Sequence, residues 1–169
     1  MTRRLALLAA GGSLGLLLGA LAFQYIGGLY PCKMCIWQRW PHGAAIALGA
    51  VFLLAAWRPL LLLGALSALV TAGVGVYHAG VEQRWWEGPS ACSGNVNSLG
   101  GLSASDLVNP NIAVDTVVAC DEIVWQLAGL SMAGWNALIS GALALIWLAA
   151  WRQGGGPLPR AQASSSASQ

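Results

Sequence analysis

The chain has 169 residues, 57% of them hydrophobic and only 8% charged, with a mean hydropathy of +0.64, against about 25% charged residues in a soluble domain. That composition excludes an ordinary water-soluble globule. It also excludes intrinsic disorder, which combines low hydrophobicity with high net charge. A net charge of +2 does not suit a nucleic-acid partner, so an integral membrane protein is expected, with the lipid bilayer as its solvent.

The charge-free intervals mark four spans in chain order. Residues 5–28 are rich in Leu, Ala and Gly and long enough to cross the hydrocarbon with some tilt. Gly11, Gly15 and Gly19 recur at four-residue spacing there, which predicts close helix packing. A secretory signal ending at Ala20-Leu21-Ala22 is the weaker reading, because the apolar run is long for an h-region. Residues 40–57 supply 18 uncharged positions, roughly 27 Å of helix, for the second span. After the tight Arg58-Pro59 turn, residues 59–81 form the third, and residues 123–151 the fourth. Trp37, Trp40, Trp57, Trp85, Trp86, Trp125, Trp147 and Trp151 fall near the span ends, as an interfacial belt would.

The predicted architecture is an all-α membrane protein, a four-transmembrane-helix bundle over residues 1–152 followed by a flexible tail at 153–169. Arg3, Arg4, Arg58, Arg152 and Arg160 fall on one face, against Lys33, Arg39 and Arg84 on the other, so both termini are expected to be cytoplasmic. The opposite face receives the loops 29–39 and 82–122, which hold all four cysteines and all six acids.

The cysteines are unequal. Cys32-Lys33-Met34-Cys35 is a Cys-x-x-Cys motif, whose short ring suits a reversible dithiol/disulfide couple and closes too little chain to serve as a staple. A second helix beginning near Cys35 would aim its first amides at that sulfur and favour the thiolate. Cys92 lies in the turn-rich run Pro89-Ser90-Ala91-Cys92-Ser93-Gly94-Asn95 and is expected to be exposed to thiol attack. Cys120 sits just ahead of the fourth span. No metal site is expected, because zinc usually takes two close-spaced pairs, whereas Cys92 and Cys120 are 28 residues apart. Haem attachment needs a His where Ile36 stands. Structural disulfides remain the competing reading.

Arg39 follows Cys35 by four residues, one helical turn on. It can either anchor the interface or hold a carbonyl-bearing acceptor beside the sulfur. His78, near the outer end of the third span, can line the same pocket or hydrogen-bond within the bundle. Met132 and Trp135 read as packing residues.

Pro31-Cys32-Lys33-Met34-Cys35-Ile36-Trp37-Gln38-Arg39, the segment Tyr77 to Glu82, and Cys120 followed by Trp125, Gly129-Leu130, Met132 and Trp135 resemble the DsbB family of membrane disulfide-bond-formation proteins. The resemblance covers essentially Leu5 to Arg152, with Cys92 matched by order more than by local sequence. It implies a thiol:quinone oxidoreductase of the bacterial inner membrane, with both cysteine loops periplasmic. Its partners would be a DsbA-like thioredoxin-fold oxidant and the membrane quinone pool, ubiquinone or menaquinone. By the same resemblance the partner attacks a Cys92–Cys120 disulfide through Cys92, and Cys120 passes electrons to Cys32 and Cys35. Cys35 would face the quinone, with Arg39 and His78 beside the ring. Vitamin-K-epoxide-reductase-like proteins have the loop pair ahead of the Cys-x-x-Cys, the reverse of the order here, and a non-enzymatic scaffold is the other alternative. Glu87, Asp106 and Asp115 of the acidic loop are expected to bias the choice of partner by charge.

Overall fold

A computed structural model describes residues 1–89, 92 and 118–154. The expectations placed on Asp106, Asp115, Arg160, the neighbours of Cys92 and the tail beyond Gly154 lie outside the described residues.

Four long helices dominate: α1 (Thr2–Tyr25), α2 (Lys33–Ala55), α3 (Pro59–Glu82) and α4 (Met132–Gln153). Three of them, α1, α3 and α4, are long and apolar enough to cross a membrane. The helix α2 is of similar length at 23 residues but carries Lys33, Gln38, Arg39, Pro41 and His42 in its first half. An apolar solvent cannot bond free amide groups, so such segments satisfy their backbone internally as helices.

The helices pack in a ring, α1 on α2, α2 on α3, α3 on α4 and α4 back on α1. The α2–α3 turn is as tight as the sequence predicts. Ala56 takes a left-handed conformation (φ 51°) to end α2, and Pro59 opens α3, where a missing amide hydrogen costs nothing. Arg58 donates to the Trp151 carbonyl at 3.1 Å and so fastens this turn to the end of α4.

The fourth helix starts at Met132, not at Ile123 as the charge-free run suggests. Residues 126–131 instead form a hairpin, β1 (Gln126–Leu127) paired antiparallel with β2 (Leu130–Ser131). Its turn residues Ala128 and Gly129 both have positive φ, 53° and 76°, the geometry of a type I′ hairpin turn. Ser131 then caps α4 by accepting from the Gly134 amide at 3.2 Å.

The core corrects two further expectations. Trp147 is fully buried, not part of an interfacial belt. A Cβ on Gly64 would come within 2.8 Å of its indole, and one on Gly49 within 3.4 Å, so glycines of α3 and α2 make the slot that the ring fills. Gly11, Gly15 and Gly19 do not mediate close packing, since a Cβ on any of them meets nothing within 4 Å. Trp40, Trp57 and Trp85 are exposed, as a belt requires.

Pro41 deprives the Trp37 carbonyl of its helical partner. Hydroxyls of α3 donate to carbonyls beside the break, Thr71 to Gln38 at 3.1 Å and Ser67 to Pro41 at 3.0 Å, which is how a spanning helix tolerates proline. Trp147→Ala is expected to cost about 3–5 kcal/mol, read as a lowered thermal midpoint in detergent micelles. Gly64→Ala should destabilise by about 1–3 kcal/mol through overpacking, whereas Gly15→Ala should leave the midpoint unchanged.

Candidate active site

Because α2 begins at Lys33, Cys32 is its N-cap residue, with extended backbone (φ −71°, ψ 171°). The Cys35 amide therefore donates to Cys32 Sγ at 3.2 Å. The amide predicted to point at the Cys35 sulfur points at the other one. The two sulfurs lie 2.8 Å apart and share a hydrogen bond. That bond is the largest influence on both thiols, holding Cys35 below the ordinary thiol range and pushing Cys32 above it. Burial raises both, and the amide groups aimed at Cys32 oppose its rise only in part. The Cys35 thiolate is thus favoured chiefly by its partner thiol.

His78 does both things the sequence leaves open. Its Nε2 lies 3.4 Å from Cys32 Sγ, and its Nδ1 lies 2.9 Å from Gln38 Nε2. Gln38 Nε2 also donates to the Met34 carbonyl at 3.3 Å, which identifies it as the amide nitrogen. The proton of neutral His78 then sits on Nε2, facing Cys32. On the far side, Asn136 Nδ2 donates to Gln38 Oε1 at 2.6 Å, and Asn136 Oδ1 bonds His42 Nε2 at 2.9 Å. A continuous polar chain therefore runs Cys32, His78, Gln38, Asn136, His42, crossing α2, α3 and α4.

Sequence reasoning singled out neither Gln38, His42, Asn136 nor Glu82. Polar side chains inside an otherwise apolar run are the signal that could have found Gln38, His42 and Asn136. Glu82 lies in the quoted Tyr77–Glu82 segment, and its carboxylate Oε1 is 3.8 Å from His78 Nε2.

A cavity of about 400 Å3 opens beside these groups, lined by Cys35, Arg39, His78, Gly15, Gly19 and Trp135 among others. This falls within the roughly 300–1,000 Å3 of small-molecule sites, which combine apolar walls with a few convergent polar groups. Arg39 donates through Nη1 to Gln24 Oε1 at 2.6 Å, while its buried Nε has no partner among the described residues. Gly15 and Gly19 widen this space instead of drawing helices together. Trp135 and Met132, read from the sequence as packing residues, line it together with Trp125. Trp135 is fixed by its donation to the Leu127 carbonyl at 3.1 Å, and Trp125 stands against Phe23 with ring centroids 5.2 Å apart.

Cys92 and Cys120 are joined in a disulfide with Cα atoms 5.1 Å apart, while Cys32 and Cys35 are free. Cys92 is not exposed as its turn-rich setting suggests. Only 3% of it is accessible, and it packs in one buried cluster with Cys32, Met34, Val81 and Cys120, against which Cys35 is also placed. The fold thus brings both cysteine pairs together, with Cys92 closed off from solvent.

With Cys92 and Cys120 replaced by Ser, iodoacetamide should modify one thiol of the reduced protein with a half-maximal rate below the ordinary thiol range, since the thiolate is the nucleophile. Mass spectrometry should place the first adduct on Cys35.

The family model described as "Disulfide bond formation protein DsbB" matches residues 2–150. Curated relatives named "Disulfide bond formation protein B" include one from Verminephrobacter eiseniae, 33% identical over 159 residues covering 90% of this chain and 87% of the relative. One from Polaromonas sp. is 29% identical, covering 88% of this chain and 89% of its own length. Another from Saccharophagus degradans is 29% identical, covering 89% and 92%. No solved structure matches the chain significantly.

Proposed function

The chain belongs to the DsbB family of disulfide bond formation proteins, and on that footing we propose that it is a thiol:quinone oxidoreductase that reoxidises a DsbA-like thioredoxin-fold protein. The observation that carries this reading is the clustering of a closed and an open cysteine pair at the wall of an apolar cavity furnished with Arg39 and His78. A purely structural set of cysteines would need neither the open pair nor the cavity.

The net reaction is dithiol plus quinone to disulfide plus quinol. The partner's thiolate attacks Cys92 and releases the Cys120 thiolate, giving a mixed disulfide. The partner's second thiol resolves that bond and leaves Cys92 and Cys120 reduced. Cys120 then attacks the Cys32–Cys35 disulfide, Cys92 closes on Cys120, and the electron pair rests on Cys32 and Cys35. The quinone, ubiquinone or menaquinone, takes that pair and two protons from the thiols. Arg39 fits a quinone oxygen because its fork of donors has an unused Nε in the cavity wall. His78 holds its Nε2 3.4 Å from Cys32 Sγ, where it can pass a proton to or from that thiol.

All four helices cross the bacterial inner membrane in this reading. Arg58 at the α2–α3 turn reaches the last turn of α4, which carries Arg152. The positive-inside bias makes that end cytoplasmic, and the cysteine loops periplasmic. The bacterial periplasm is kept oxidising by such a chain from thiol oxidant to quinone.

Purified protein should oxidise a reduced thioredoxin-fold partner only when quinone is present. Cys35→Ser and Cys92→Ser should both lose this turnover, while Cys92→Ser still exchanges electrons between quinone and the Cys-x-x-Cys pair. A wild-type protein that is inert with intact quinone and partner would sink the reading. Arg39→Gln should raise the quinone KM about tenfold, the loss of one charge-assisted hydrogen bond, and leave thiol exchange at Cys92 unchanged.

A further inference from the structure

Four groups at the outer end of α3 and the start of α2 form a set whose combined chemistry the electron-transfer reading does not use. Cys32 Sγ, Cys35 Sγ and His78 Nε2 all lie within 4.8 Å of one another. Glu82 stands one turn beyond His78 on α3, with Oε1 3.8 Å from His78 Nε2 and a side chain only 6% exposed. Its Oε2 is buried with no hydrogen-bond partner among the described residues. A buried carboxylate with an open oxygen is costly unless a proton, donor or cation completes it. The Ser131 side chain hydrogen-bonds the carboxylate, and the guanidinium that could complete its other oxygen, Arg39, is directed to Gln24 instead.

Two sulfurs and one imidazole nitrogen already lie together, and the Glu82 carboxylate, 3.8 Å from that nitrogen, can move in to complete a four-coordinate set suited to zinc. Magnesium and calcium, which take oxygen ligands, are unsuited to it. The cysteine spacing alone argues against zinc, because it looks for a second close pair. The missing ligands come from α3, which only the fold brings to the loop.

We propose that the reduced Cys32–Cys35 pair, together with His78 and Glu82, binds one Zn2+ ion. Two thiol protons leave to solvent, two sulfur–zinc bonds form, and no electrons move. The oxidised pair has no thiolate to offer, so the site exists only in the reduced protein. The sulfurs, now 2.8 Å apart, separate by rotation of the half-buried Cys35 side chain to admit the ion. His78 must offer a bare Nε2 and carry its proton on Nδ1. That follows from turning the Gln38 amide so that Oε1 accepts from Nδ1, at the loss of its 3.3 Å bond to Met34. Asn136 turns with it to keep the chain paired. Ligand histidines are commonly fixed in this way through the second ring nitrogen. Zinc held here withdraws both thiols from electron transfer and acts as a reversible inhibitor that a chelator relieves.

The test reads the metal directly, so it succeeds or fails independently of the quinone reading. The full-length chain with Cys92→Ser and Cys120→Ser retains Cys32 and Cys35 as its only thiols. Reduced in detergent micelles, it is titrated with Co2+ as a spectroscopic substitute for Zn2+. One equivalent should bind with sulfur-to-cobalt charge-transfer absorption and the visible bands of a tetrahedral ion, be displaced by Zn2+, and fail to bind once the pair is oxidised. His78→Gln and Glu82→Gln should each weaken cobalt at least about tenfold, and Gln38→Leu about tenfold. Glu82→Gln keeps the shape of the side chain, so the test does not hang on the folding of the His78 variant. Absence of the charge-transfer band in the reduced protein, or an affinity unchanged in either the His78 or the Glu82 variant, overturns the proposal.

Discussion

The structure turns on the hydrogen-bonded chain that crosses the bundle from Cys32 through His78, Gln38 and Asn136 to His42. In an apolar surrounding there is no hydrophobic gain in moving a leucine from lipid to the helix interface, so packing and polar pairing must orient the helices. Each member of this chain is buried or half-buried and would be costly if left unpaired. Pairing them fixes the rotation of α2, α3 and α4 about their axes at once. Thr71 and Ser140 add bonds to Asn136 at 3.2 and 3.3 Å and close the network.

The redox centre inherits its geometry from that constraint. With α3 rotated to satisfy Gln38, His78 faces the N-terminus of α2, where Cys32 serves as cap. Cys35, one turn into the helix, then opens on the cavity together with Arg39. The second cysteine pair packs behind the first through Val81 and Met34. The Cys32 and Cys35 pair therefore sits between an apolar space on one side and a disulfide on the other. Cys92 is itself buried, only 3% of it accessible.

Burial is divided unevenly along the bundle. Toward the α2–α3 turn, Trp147 fills a slot made by glycines and alanines, and the interior is close-packed. Toward the cysteine end the same four helices leave a cavity, because Gly15 and Gly19 on α1 present no side chain and Trp135 is drawn aside by Leu127. One half of the bundle is thus filled and the other holds an open apolar space.

Much of this is legible in the sequence. The composition excluded a soluble globule, the charge-free runs marked the helices α1 and α3 to within a few residues, and the cysteine spacing separated a redox pair from a loop pair. Arg39 and His78 were identified as neighbours of the site from spacing and resemblance. These features are local, and chain connectivity with simple solvation energetics is enough to read them. The sequence could not show which face of each helix turns inward, because lipid and core are both apolar and hydrophobic periodicity fades. The glycine stripe of α1 was therefore mistaken for a packing seam, and Trp147 for a belt residue. The uncharged run from Ile123 hid a hairpin for the same reason, since lack of charge does not distinguish helix from strand. Only the tertiary structure brought Gln38, His42, Asn136 and Glu82 into the site, because their pairing joins residues up to 98 positions apart and is decided by polar satisfaction across helices.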